Sequence, residues 1–109
     1  MKELPLNDFA LFDEVKHIVT GDRREFYGHP LDNHGRTAEM WSAYLGIKIT
    51  PEQVCWMMML LKCARQAHMP ARDNLIDIVG YATNIDMIAN ETRRRKYADD
   101  YLRDVKLVD

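Results

Sequence analysis

The chain has 109 residues, of which 47% are apolar and 29% charged, with 5 glycines and 4 prolines. This composition is typical of one compact domain, and it excludes fibrous, collagen-like and wholly disordered chains. The net charge of -2 provides no overall positive field, so we expect neither nucleic acid nor an anionic membrane surface as a partner.

The sequence also predicts a compartment. Its first five residues do not resemble a signal peptide, and no apolar run reaches the roughly 18 residues of a membrane span. Cys55 and Cys63 lie on one predicted helix, with their Cα atoms about 12 Å apart, which is too far for a disulfide. We therefore expect buried free thiols and a protein of the reducing cytoplasm.

Helical spacing of apolar residues recurs along the chain, whereas strand signals are weak. The first predicted helix has Asn7 as its N-cap and runs to about Thr20. Residues 22–31, directly after Gly21, carry one glycine, one proline and many polar side chains, a composition typical of an ordered loop. A second helix is predicted over residues 33–45, before a glycine suited to a C-cap.

The third helix has the clearest start, because Thr50, Pro51 and Gln53 form a capping-box pattern with proline at the first helical position. Residues 54–61 are apolar on every face, which predicts a helix surrounded by the others. The expected fold is thus all-α, a bundle of four to five helices. Its central apolar helix, about 51–67, forms an antiparallel hairpin with a helix at 72–90.

The composition changes after residue 90. Residues 91–109 are rich in arginine and aspartate, with a thin apolar seam at Tyr97, Tyr101, Val105 and Val108. We expect a single helical domain over residues 1–90 and a charged C-terminal helical extension or tail over residues 91–109. This segment either faces solvent or packs on another subunit.

The predicted hairpin brings charged residues together. Positions equally far from its short turn meet, so Lys62 and Arg65 fall near the stripe that carries Asp73, Asp77 and Tyr81. One interpretation is a set of salt bridges that orients the hairpin. The other is a polar pocket, in which the cations hold phosphate oxygens and the carboxylates hold a divalent metal or a ligand hydroxyl.

Residues 22–30 offer a second candidate site. Arg23, Tyr27 and His29 carry side chains suited to grip a phosphate and to stack on a base. Alternatively, Tyr27 and His29 close the loop onto the bundle. The sequence contains no Walker or Gly-x-Gly-x-x-Gly pattern, and its histidines and cysteines lack the spacing of zinc ligands.

These motifs resemble a known family. Gly21-Asp22-Arg23, Tyr27-Gly28-His29-Pro30 and the run over residues 73–82 are similar to motifs of short phage and prophage proteins that are classed as a domain of unknown function. The resemblance covers about residues 10–89. It implies a phage or prophage origin, and hence the cytoplasm of a bacterial host.

A more distant resemblance is to the MazG-like all-α nucleoside triphosphate pyrophosphatases, whose hairpin is similar in its Asp-x-x-x-Asp-x-x-x-Tyr pattern, here Asp73, Asp77 and Tyr81. Those enzymes bind magnesium through acidic residues on two helices and usually work as dimers or larger assemblies. The likeness implies Mg²⁺ at Asp73 and Asp77 and a homo-oligomer. The first acidic motif, Glu-Glu-x-x-Glu, is missing from this chain.

We therefore expect an oligomeric bundle that binds a nucleotide or another phosphorylated small molecule, with hydrolysis as a secondary activity. Arg23, Lys62 and Arg65 would neutralise phosphate. Tyr27 or His29 would contact the base or sugar. The alternative is a protein-interaction module without a small-molecule ligand, which docks on a host protein through the methionine-rich helix or the apolar seam of residues 97–108.

Overall fold

The computed structural model describes residues 7–107. This part of the chain forms an all-α bundle without strands, as predicted, and consists of α1 (Ala10–Thr20), α2 (Asp22–Tyr27), α3 (Pro30–Leu45), α4 (Pro51–His68) and α5 (Arg72–Leu107). The start of the predicted first domain, residues 1–6, and Val108 of the predicted apolar seam lie outside the described residues. None of the described helices combines the length and hydropathy that crossing a bilayer requires.

Two helix starts differ from the predictions. Helix α1 begins only at Ala10, because the side-chain oxygen of Asn7 accepts a backbone N–H within the preceding turn, at 2.9 Å. Helix α3 begins at Pro30, three residues earlier than expected. The N-cap is His29, whose Nδ1 accepts from the N–H of Leu31 at 3.0 Å, and proline suits the first helical position because it has no N–H to satisfy.

The predicted loop at residues 22–31 is largely helical, since α2 occupies most of it. Arginine and glutamate favour helix, and glycines limit the helix at both ends. A Cβ on Gly21 would lie 2.7 Å from a carbonyl oxygen of α1, so the sharp turn between α1 and α2 requires glycine. Gly28 has φ +77° and ends α2, with its N–H donating to the carbonyl of Arg24 at 2.8 Å.

The capping box at the start of α4 is confirmed. The N–H of Gln53 donates to the Thr50 hydroxyl at 3.1 Å, and the N–H of Thr50 donates to the Gln53 side chain at 2.9 Å. These reciprocal bonds satisfy two backbone donors that a helix start otherwise leaves open. The local sequence therefore fixes where α4 begins.

Helices α4 and α5 form the predicted antiparallel hairpin. Lys62 Nζ lies 3.0 Å from Asp77 Oδ2, and Asn74 donates its side-chain N–H to Gln66 at 3.1 Å. Both pairs are nearly equidistant from the turn at residues 69–71. This register agrees with the one that the short connection predicts.

Helix α5 runs unbroken for 36 residues and packs against α1, α3 and α4. Arg95 makes two 2.8 Å hydrogen bonds to the carboxylate of Asp32 on α3, and Arg72 bonds Glu14 on α1 at 2.6 Å. The helix does not end near residue 90. Its C-terminal part continues as an exposed helix whose solvent-facing apolar residues include Tyr97, Tyr101, Leu102 and Val105.

Helix α4 is covered on one side only in the single chain. Val54 and Cys55 are buried, and burial raises the pKa of the Cys55 thiol to about 12. Trp56 and Leu60 are 56% and 68% exposed, so the other helices do not surround α4 as predicted. Helix α4 contacts only α3 and α5 among the described helices. Cys63 is exposed, in contrast to the expected buried thiol.

The buried apolar residues of the described chain are few: Val15, Ala38, Val54, Cys55 and Ile88. Ile88 is fully buried, so replacing it by alanine removes packed methyl groups and leaves a cavity. We expect Ile88→Ala to lower the free energy of unfolding by about 2–5 kcal/mol. Denaturant titration measures this change.

Ile47→Ala is the matched control, since Ile47 is 62% exposed and its loss should change stability by less than about 0.5 kcal/mol. Equal effects of the two substitutions would show that Ile88 is not at the centre of the core.

Candidate functional site

A cavity of about 270 Å³ lies between α1, α2, α3 and α5. Its volume is close to the lower end of the roughly 300–1,000 Å³ of small-molecule sites. Apolar residues of α1 and α5 form part of the wall, and the polar part consists of Arg23, Arg24, Tyr27, Asn33, His34, Asp77, Tyr81 and Asn84. We refer to this space as the α2 cavity.

Several predicted site residues meet at the α2 cavity. Arg23 and Tyr27 reach it from α2, and Asp77 and Tyr81 reach it from α5. Lys62 is connected to it through Asp77, and its side chain is only 13% exposed. The structure thus joins part of the predicted hairpin cluster to part of the predicted 22–30 segment.

Three predicted site residues lie elsewhere. His29 caps α3, Arg65 lines a shallow groove at the turn of the hairpin, and Asp73 is exposed in the first turn of α5. Asp73 and Asp77 therefore do not share one site at the cavity. Among the described residues, 7–107, there is no group of three or more His, Cys, Asp or Glu side chains that could bind a metal ion.

Helix α2 supplies the positive charge of the cavity. Arg23 and Arg24 are both exposed, and neither forms a salt bridge with a described residue. A hydrogen bond from Arg36 Nη2 to the carbonyl of Tyr27, 3.1 Å long, ties the end of α2 to α3. The two guanidinium groups are thus held beside the opening and are available to an anion.

The inner end of the cavity is aromatic and amide-lined. His34 is 7% exposed, and its ring lies 5.8 Å from that of Tyr81 at an angle of 53°. Burial, reinforced by the charge of Arg23, holds the pKa of His34 below its usual value. The imidazole is therefore neutral near pH 7, and its Nε2 accepts from the Nδ2 of Asn84 at 3.1 Å.

This arrangement leaves one acceptor without a partner. The Oδ1 of Asn84 is buried and receives no hydrogen bond. A buried polar atom in this state costs about 1–3 kcal/mol relative to a paired one. A ligand that brings an N–H or O–H donor to Asn84 would remove that cost.

Sequence reasoning missed Arg24, Asn33, His34 and Asn84. Helical spacing could have identified two of them. Asn84 lies three positions after Tyr81 and therefore continues the stripe of Asp77 and Tyr81 on one side of α5. His34 lies four positions before the buried Ala38. Asn33 was placed at the start of the predicted helix 33–45, whereas α3 begins at Pro30 and contains Asn33 in its first turn.

The buried histidine predicts a pH dependence of stability. Because the pKa of His34 in the folded chain lies below 6.5, the unfolded chain binds a proton there first as the pH falls. The free energy of unfolding should therefore decrease between about pH 7.5 and pH 5.5, by at most about 1.4 kcal/mol per pH unit from this group. Denaturant titrations at the two pH values measure the difference.

His34→Gln should weaken this pH dependence, leaving the part due to His29, whose pKa burial also lowers. The exposed His17, changed to Gln, is the control and should behave as the unaltered chain. If His34→Gln had the same pH dependence as the unaltered chain, His34 would not be buried as a neutral group.

Two curated phage proteins are similar to this chain. The Gene 55 protein of Mycobacterium phage L5 is 40% identical over 75 residues, which are 67% of this chain and 48% of that protein. The Gene 55 protein of Mycobacterium phage D29 is 31% identical over 105 residues, which are 91% of this chain and 70% of that protein. The chain thus spans about half the length of the L5 relative.

Among solved structures, none matches this chain significantly. The family model described as domain of unknown function DUF6378 matches residues 10–99. That range contains every residue that lines the α2 cavity. The chain therefore belongs to the DUF6378 family, and its relatives in two mycobacteriophages agree with the expected phage origin.

Proposed function

We propose that the α2 cavity binds a nucleotide or a similar phosphorylated small molecule, with its phosphate groups at Arg23 and Arg24. The observation that carries this proposal is the pair of guanidinium groups without salt bridges to described residues beside a partly open, partly aromatic cavity. A guanidinium donates two parallel hydrogen bonds to phosphate oxygens, which gives both affinity and orientation.

The inner end of the cavity suits a nucleoside. Tyr81 and His34 present rings against which a base can pack. The unpaired Oδ1 of Asn84 accepts a hydrogen bond, which a base amine or a sugar hydroxyl would donate. The cavity therefore offers separate places for the charged and the uncharged part of one ligand.

In this proposal Mg²⁺ accompanies the phosphates of the ligand. Asp77 is the carboxylate of the cavity lining, and its Oδ2 is paired with Lys62. Magnesium prefers octahedral oxygen coordination, usually with one or two carboxylates plus phosphate and water. Binding is the primary activity here, and pyrophosphate hydrolysis of the MazG-like kind is secondary, because Asp77 is a single and already paired carboxylate.

Thermal unfolding against a panel of nucleoside mono-, di- and triphosphates and cyclic dinucleotides, with and without Mg²⁺, tests the proposal. A ligand at about 100 times its dissociation constant should stabilise the fold by about 2.7 kcal/mol, which shifts the melting temperature by several degrees in a domain of this size. A phage protein in the cytoplasm of a bacterial host would meet all of these compounds.

Arg23→Ala should weaken binding by about 10-fold to 100-fold, since it removes charged hydrogen bonds worth about 1.5–3 kcal/mol. Arg65→Ala is the matched control, because it removes the same charge outside the cavity, and it should leave affinity unchanged. A panel without any shift, or equal losses in both variants, would contradict the proposal. A flat panel would favour the protein-interaction module, which would dock through the methionine-rich helix α4 or through the exposed seam at Tyr97, Tyr101 and Val105.

A further inference from the structure

The side of α4 that faces away from α5 carries an uncovered apolar surface. Trp56, Met57, Leu60 and Leu61 are 56%, 40%, 68% and 40% exposed. Residues spaced by three and four positions share one side of a helix, so these four form one continuous stripe, which we call the outer α4 stripe. It runs over more than one turn of the helix.

The outer side of α4 differs from that of an ordinary surface helix. Lys62 is the only charged residue between Val54 and Ala64, and it points inward to Asp77 with 13% of its side chain exposed. A surface helix turns its charged side chains to water and its apolar side chains to the core. Here the cation faces the protein interior, and the outer α4 stripe is left without charge.

The core of the single chain is small for its length. Five apolar residues of the described chain are buried, of which Val54 and Cys55 belong to α4. The radius of gyration is 17.7 Å, compared with about 13 Å for a compact chain of this size. The projecting end of α5 accounts for this elongation, whereas the small number of buried residues indicates that α4 lacks a covering layer.

We infer that the outer α4 stripe is the interface of a homodimer, in which two copies of α4 pack against each other across a two-fold axis. A symmetric pairing places each stripe on an identical stripe, and because the stripe is uncharged no like charges meet. Other copies of the same chain are always present in solution, so a second copy is available to cover this apolar surface and to enlarge the small core.

The exposed area of the four residues accounts for part of such an interface. At roughly 200 Å² for each large apolar side chain, the exposed fractions of the four residues amount to about 400 Å² on each copy. That is about half of the roughly 800 Å² per partner of a standard interface. The exposed Met69 and Leu75 at the end of the hairpin offer more apolar area. The inference does not depend on ligand binding in the α2 cavity.

Sedimentation equilibrium or light scattering of the full chain over about 1–100 μM tests the interface. The expected mass is twice the 12.8 kDa of the chain. Leu60→Glu places a carboxylate in the stripe and should raise the dissociation constant of the dimer at least about 30-fold, the effect of losing a hot spot. Leu102→Glu is the control on the exposed end of α5 and should leave the dimer intact.

The melting temperature supplies a second measurement if Leu60→Glu fails to fold. Unfolding of a dimer into two free chains makes the melting temperature of the unaltered protein rise with protein concentration, whereas that of a monomer does not change. A monomeric mass with a concentration-independent melting temperature would overturn the inference. A dimer that survives Leu60→Glu but dissociates with Leu102→Glu would also overturn it, because the interface would then lie on α5.

Discussion

The ion pair between Lys62 and Asp77 determines how the rest of the molecule is arranged. It joins α4 to α5 at 3.0 Å, and both side chains are largely withdrawn from water, with 13% and 24% exposed. An unpaired ammonium group in such a place would be costly, so the lysine fixes which side of α4 turns inward. Together with the buried Val54 and Cys55, this contact fixes the rotation of α4 about its own axis.

Two surfaces depend on that rotation. On the inner side, Asp77 is held in the stripe of α5 that continues through Tyr81 and Asn84, and this stripe forms one wall of the α2 cavity. On the outer side, Trp56 and Leu60 are left exposed. The α2 cavity and the outer α4 stripe thus lie on opposite sides of the same hairpin.

The sequence correctly predicted features that depend on a few neighbouring residues. The capping box at Thr50 needs only four consecutive residues, and a short turn sets the Lys62–Asp77 register, so both were confirmed. The start of α3 was placed too late because histidine is an uncommon N-cap, and His29 was interpreted as a ligand group. The short helix α2 was missed because its flanking glycines are also typical of loops.

The position of the cavity was harder to predict from the sequence. Arg65 and Asp73 lie at the turn of the hairpin, whereas the α5 residues that line the cavity lie between Ile76 and Asn84. The position of the cavity along α5 depends on where α1 and α2 pack. This packing is a long-range property, and the register of the hairpin does not determine it. Arg23 and Tyr27 were nevertheless identified, because their residue types suit phosphate and base on any backbone.

The coupling energy between Lys62 and Asp77 tests the account most directly. It is obtained from the free energies of unfolding of the unaltered chain, Lys62→Met, Asp77→Asn and the double variant, all at one protein concentration. We expect the effects of the single substitutions to differ from additivity by about 1 kcal/mol, as for residues in direct contact. Additive effects, within about 0.3 kcal/mol, would show that Asp77 does not hold Lys62 inward, and the orientation of α4 would then need another cause.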